Sequence, residues 1–390
     1  MKTNPIKLFS RIFYFGLMLL LAVSSCKKEG DGQLRPDEEE PPDEEVLSGT
    51  ISEDKTLYNR FSDPNQLDYR VPSSVTIAAE LTIMPGVRIE MGPAAKMTVT
   101  SQGRLRVMGT PDSNIVITGK QHNPGYWDYI MIHSFDSVNE IKYTVIEDGG
   151  GNPNVEGTLI LNSTSMVNMH NTKIQKSERN GMVVINPDSR LVNFQNNEIR
   201  ESGYAPLVIN SSQVSSIAES NVFSNQNVYN YIKVVGSNVL TPQTWGKSDV
   251  PFYLMDATSI YADLIISPGA RYIFGPAGRI LVKETGSLNA IGTDVDSIYF
   301  SGAQSISGYW DCILFLSNNP FNEFKYVSIN HGGGYWYWNA SIYLQDAFFK
   351  ISYSTIANSQ RWGIYRNGVY QFIDGGFNNF FSNGTGAIGP

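Results

Sequence analysis

Cysteine is almost absent from this chain: 390 residues hold two, Cys26 and Cys312. Histidine is nearly as scarce, and His122, His133, His170 and His331 show no ligand spacing with each other or with acids. The sequence therefore predicts no metal site and no cofactor. Basic clusters are missing too. Of the net charge of −8, residues 1–26 contribute +3 and residues 27–45 contribute −6, so the rest carries −5. A near-neutral chain without a basic patch speaks against a nucleic-acid partner. Helical spacing is lacking beyond the first two dozen residues, and no later segment reaches the roughly 18 apolar residues of a membrane span.

What is present begins at the amino terminus. Lys2, Lys7 and Arg11 precede an apolar run from Ile12 to Val23, then Ser24, Ser25 and Cys26. This is the plan of a secretory signal over residues 1–26. The Ala22-Val23-Ser24-Ser25-Cys26 stretch resembles a bacterial lipobox, which implies acylation of Cys26 and a membrane contact made through lipid alone. Residues 27–45 hold nine acids and no aromatic, and are expected to form a disordered acidic tether. Lys28-Glu29-Gly30-Asp31 resembles the export signal of surface lipoproteins in the Bacteroidota, implying an outer-membrane or cell-surface location. With Cys26 acylated, Cys312 has no disulfide partner, and its apolar setting (Asp311-Cys312-Ile313-Leu314-Phe315) predicts a buried, inert thiol.

The folded part is organised by a duplication. Leu81, Pro85 and Gly86 recur as Leu264, Pro268 and Gly269, an offset of 183. The same offset carries Gly125-Tyr126-Trp127-Asp128 onto Gly308-Tyr309-Trp310-Asp311, and Gly149-Gly150-Gly151 onto Gly332-Gly333-Gly334. About 30 of the 71 positions in 81–151 are identical without a gap. Within each copy, short bursts of period-two alternation are punctuated by Pro-Gly, Gly-Pro and Gly-Thr turns, which reads as all-β. A longer step of roughly 24 residues links Ile174, Ile199 and Phe223, and again Ile356 and Phe381. Short strands at such a step form one coil of a parallel β-solenoid. No coil can bury its apolar side chains alone, so coils stack at about 4.8 Å, giving roughly 14 coils and a rod of about 65 Å.

These features, with the "LTI-x-PG", "GT" and "YW" motifs in order, resemble the right-handed parallel β-helix proteins of the pectin lyase-like class over about residues 71–390. The expected layout is a cap at 46–70, a first copy at 71–235, a linker at 236–250 and a second copy at 251–390. The final coil is expected to present an edge that invites self-association.

The resemblance implies a fold and leaves activity open. Pectate lyases carry "W-x-DH" and "R-x-P-x-x-R", and the hydrolases of this fold carry "NTD", paired Asp and "GHG". None of these occurs here. Acid candidates for catalysis are Asp128 and Asp311, better explained as turn-stabilising side chains, and the single-copy pair Glu147-Asp148, with Lys142 or Arg179 as basic neighbours. Aromatics are more pointed. Tyr335-Trp336-Tyr337-Trp338 stands where the first copy has Asn152-Pro153-Asn154-Val155, so the fold does not require rings there. Read as a strand, the segment would turn one ring pair outward, and Trp362 one coil on would extend the platform. Rigid aromatic faces suit sugar rings. The sequence thus favours a non-catalytic β-helix that binds polysaccharide or acts as a surface scaffold. A polysaccharide lyase or glycoside hydrolase, and a structural or adhesive rod, are the alternatives.

Overall fold

The computed structural model describes residues 44–134, 139–368 and 370–390. Cys26, the expected signal segment and the expected tether up to residue 43 lie outside them. The described chain is an all-β parallel solenoid of about 14 turns, with a single 3-10 turn at Ser211–Ser216 among its described residues.

Alternation sets each strand's two faces. In Arg88–Met91, Lys96–Val99 and Arg104–Met108 every second residue is buried, and the residues between face solvent. Stacking then converts that alternation into ladders. Ile89, Ile117, Ile146, Ile174 and Ile199 occupy one register position in successive coils, all fully buried. Farther along, the interior turns aromatic: Phe252, Tyr272 and Phe300 stack at 5.5–5.6 Å between centroids. These stacks run from each coil to the one above or below, so stability accumulates coil by coil.

The corners are built from left-handed residues followed by small polar ones. Asn171 and Asn196 take φ of 51° and 54°, which asparagine tolerates better than most residues. The next positions form a buried ladder. Asn221 Oδ1 accepts from the Asn197 backbone N–H at 3.0 Å, and Asn197 Oδ1 accepts from that of Thr172 at 3.1 Å. Asn378 and Asn383 accept from Ser354 and Ser359 in the same way near the other end. Each side-chain amide satisfies a turn N–H that the strand ladders cannot reach.

One long sheet of 14 strands runs through the whole stack, while the other faces change sheets midway. Up to Glu198–Arg200 each coil visits a seven-stranded sheet, then the long sheet, then a six-stranded one. From Ile232–Val235 onward each coil visits the long sheet first, then a second seven-stranded sheet, then a second six-stranded one. Strands related by the sequence duplication therefore stand on successive sheets. Arg88–Met91 belongs to the first seven-stranded sheet, Arg271–Phe274 to the long one. Matching loops of the two halves consequently look out over different faces.

Residues 45–57 contribute three strands that pair onto the following coil, and the Glu44 carboxylate meets Arg70 at 2.6 Å. Residues 236–250 carry the strands Asn238–Val239 and Gln243–Trp245, both paired within the stack. Gln371–Asp374, Asn379–Phe381 and Gly386–Ile388 are each paired on one side only, and Phe372, Phe380 and Ile388 lie half-buried against the core there.

Candidate functional site

The Tyr-Trp-Asp and Gly-Gly-Gly motifs form a single lock in each half. Trp127 and Trp310 are fully buried, and their indole N–H groups donate to the carbonyls of Glu147 at 2.8 Å and Asn330 at 2.7 Å, one coil away. Gly149 and Gly332 lie flat against these indoles, where a Cβ would collide with the ring; a Cβ at Gly151 or Gly334 would strike the Gly125 or Gly308 carbonyl. The triplets are thus demanded by close approach. Asp128 and Asp311 join the lock through their backbones, their carbonyls accepting from Gly150 at 2.8 Å and Gly333 at 2.7 Å. The Asp128 side chain takes a bond from Asn152 at 2.9 Å.

Asp311 makes a different bond. Its carboxylate is 2.8 Å from Arg279, which stands where the first half has Lys96. Burial pushes the Asp311 carboxyl up, and the Arg279 guanidinium pulls it part of the way back. The same guanidinium lies over the rings of Tyr335 at 5.6 Å and Trp338 at 5.4 Å, and those rings contact each other at 4.9 Å. Trp338 also packs against the apolar cluster of Cys312, Leu314 and Tyr343. Cys312 is a buried thiol that burial pushes well up.

Residues 335–338 are therefore a loop, where the sequence suggested a strand. The reason is the glycine lock: it holds the backbone at the corner through Gly334, and pairing resumes only at Ala340–Gln345. The outward pair is correspondingly different. Trp336 is 73% exposed and Tyr337 59%, while Tyr335 and Trp338 turn together onto Arg279. Trp362 does not extend this platform. Its ring contact is with Tyr365 at 6.5 Å, and it packs beneath Gly386 and Gly389 of the final coil.

A second aromatic surface was not anticipated. Tyr204, Tyr229, Tyr231 and Tyr253 form a continuous ladder with centroid spacings of 6.2, 5.4 and 4.7 Å. They line a cleft of about 440 Å³ together with Glu156, Arg179 and Lys233. Arg179 stacks over Tyr204 at 5.9 Å, and its Nε is buried with no hydrogen-bond partner among the described residues. The signal was present in the sequence, where Tyr204, Tyr229 and Tyr253 recur at about one coil length. Burial, then the phenols of Tyr253, Tyr229 and Tyr309, push Tyr231 up to about 12.

The folded state thus favours the neutral Tyr231 phenol. The stability it contributes is complete below the ordinary phenol value of about 10 and is lost as pH rises through about 12. A titration followed by phenolate absorbance should lose one ionisation near 12 in Tyr231→Phe; a loss near 10 instead would show that Tyr231 ionises with the exposed tyrosines.

Of the acids, Glu147 is held by Gln175 at 2.6 Å, with Lys176 at 3.8 Å. The basic neighbour is thus Lys176. Lys142 is taken by Glu140 at 3.4 Å, and Arg179 belongs to the tyrosine cleft. Asp148 is fully buried and reached by His122 at 3.4 Å. Distance along the chain hid this contact in the sequence, because one coil separates the two.

No family model matches this chain, and neither a curated protein nor a solved structure matches it significantly.

Proposed function

We propose that this is a lipid-anchored cell-surface protein whose solenoid binds polysaccharide without cleaving it. The observation that carries the reading is the loop at 335–338: Trp336 and Tyr337 are exposed beside Tyr335 and Trp338, which pack over an Arg279 guanidinium paired with Asp311. Large exposed rings with little conformational freedom to lose suit the C–H faces of sugars. The tyrosine cleft adds ring edges, hydroxyls and the cations Arg179 and Lys233, neither of which makes an ion pair among the described residues. That balance against the single acid Glu156 favours a glycan bearing carboxylate or sulfate groups. The lipobox resemblance at Cys26 and the acidic tether support the surface location, and the ordered motifs support a right-handed winding of the pectin lyase-like kind.

A glycan-array screen of the purified chain, with product analysis of every polysaccharide bound, tests the reading. Binding without new reducing ends or unsaturated products is expected. Products would establish the lyase or hydrolase alternative, and silence across acidic and neutral glycans would leave the structural rod.

A further inference from the structure

We propose that His122, Glu147 and Asp148 form a binding site for a divalent transition metal of the zinc type, independent of the aromatic surfaces. One donor atom from each residue lies within 4.8 Å of the other two. His122 sits in the turn after Ile115–Gly119, and Glu147 and Asp148 close the adjacent strand Thr144–Glu147 and its corner. The pairing of Ile117 with Ile146 brings these strand ends side by side.

The Asp148 carboxylate points to the ligand. It is 0% exposed, and Oδ2 is occupied: Thr118 Oγ1 donates at 2.9 Å and the Gly119 N–H at 3.3 Å, with His122 Nδ1 3.4 Å away. Oδ1 is equally buried and has no hydrogen-bond partner among the described residues. A buried carboxylate oxygen left unmet is costly, and a cation is the partner it lacks. Glu147 adds a second carboxylate, and Lys176 offsets only part of the combined charge from 3.8 Å.

The other half of the chain shows that the fold does not need this acid. At the corner matched to Asp148 by the duplication, His331 takes the same left-handed conformation (φ 65°, against 71° for Asp148), and its Nδ1 meets Ser301 at 3.1 Å. Asn330 stands there in place of Glu147, and Ser305 in place of His122. The corner is thus built without any carboxylate there, and the set of His122, Glu147 and Asp148 is particular to the first half.

The donor set selects the metal. Two carboxylates and one neutral imidazole neutralise a dication and leave a fourth tetrahedral position for water. A nitrogen donor disfavours calcium and magnesium, which take oxygen. His122, with its side chain 61% exposed, supplies the entry path and the rotation needed to bring donors to about 2.0–2.2 Å from the ion.

Zinc titration of the purified chain by calorimetry, with metal content measured after dialysis, tests the site. One equivalent of Zn²⁺ is expected, undiminished by equimolar Ca²⁺ or Mg²⁺, and His122→Ala should weaken binding at least tenfold. Asp148→Asn should do the same while keeping the left-handed corner, which asparagine adopts readily. Lys176→Met should tighten binding by removing the competing ammonium. Should Asp148→Asn fail to fold, His122→Ala decides alone, since its side chain is exposed on a turn. Binding that His122→Ala leaves unchanged, or no zinc bound by the parent chain, would overturn the proposal whatever the glycan screen returns.

Discussion

Replacing Trp336 and Tyr337 together with alanine should lower affinity for a bound polysaccharide by about a hundredfold or more and leave thermal unfolding where it was. The two effects separate because these rings are spent outward. Among the described residues their ring contacts are confined to loop neighbours, Trp336 with Tyr335 at 6.1 Å and with Tyr337 at 5.7 Å, and Tyr337 with Trp338 at 6.2 Å. Exposed substitutions of this kind typically change stability by about 0.5 kcal/mol or less. An aromatic anchor in a binding surface costs about 2 kcal/mol or more when truncated, and about 1.4 kcal/mol is a factor of ten. Trp338 is the wrong partner for such a test. It packs on the Cys312 cluster and on Arg279, so its loss would loosen the frame as well as the surface. Calorimetry on the best array hit reads the outcome. Full affinity in the double variant, with Tyr229→Ala plus Tyr231→Ala abolishing it, would move the binding surface to the tyrosine cleft; full affinity in both would sink the aromatic reading.

The solenoid was legible because its logic is local and repeated. Isoleucine at a fixed place in each coil, a left-handed asparagine and a small polar residue behind it recur whatever the loop lengths between them. Those lengths are what sequence spacing could not resolve. Ile117 and Ile146 lie farther apart along the chain than Ile174 and Ile199, although each pair spans one coil, so the duplication offset does not disclose how many faces it crosses. The displacement of the second half by one sheet was therefore hidden, and with it the fact that matching loops face different ways. The aromatic segment was found at the right residues but in the wrong conformation, because period-two alternation describes strands and says nothing about a loop pinned by glycine. The tyrosine ladder and the His122 contact join residues of different coils: the recurrence of Tyr204, Tyr229 and Tyr253 at about one coil length signals the first, and only stacking register brings His122 to Asp148.

The largest effect on stability is expected at Trp310. Truncation to alanine should cost about 3–5 kcal/mol, the range for large aromatic side chains in a close-packed core. Three losses coincide. The indole stacks on Phe274 with centroids 4.1 Å apart, it fills the surface against which Gly332 is flattened, and it satisfies the Asn330 carbonyl. Trp310→Phe should keep the stacking and lose the bond, costing the smaller penalty of an unmet buried carbonyl, about 1–3 kcal/mol. Because Gly334 donates to the Trp310 carbonyl and Gly333 to that of Asp311, the lock also roots the aromatic loop. Trp310→Ala should therefore weaken glycan binding under conditions where the chain is still folded, with Trp336 and Tyr337 untouched. Trp127→Ala provides the control: it should destabilise comparably through the matching lock, yet spare the binding made through Trp336 and Tyr337, since its own loop runs over a different sheet toward Glu156 of the tyrosine cleft. Denaturant unfolding and calorimetry on the pair separate these outcomes. Equal loss of affinity in both variants would mean that binding follows global stability, and the rigid frame would then have no part in recognition.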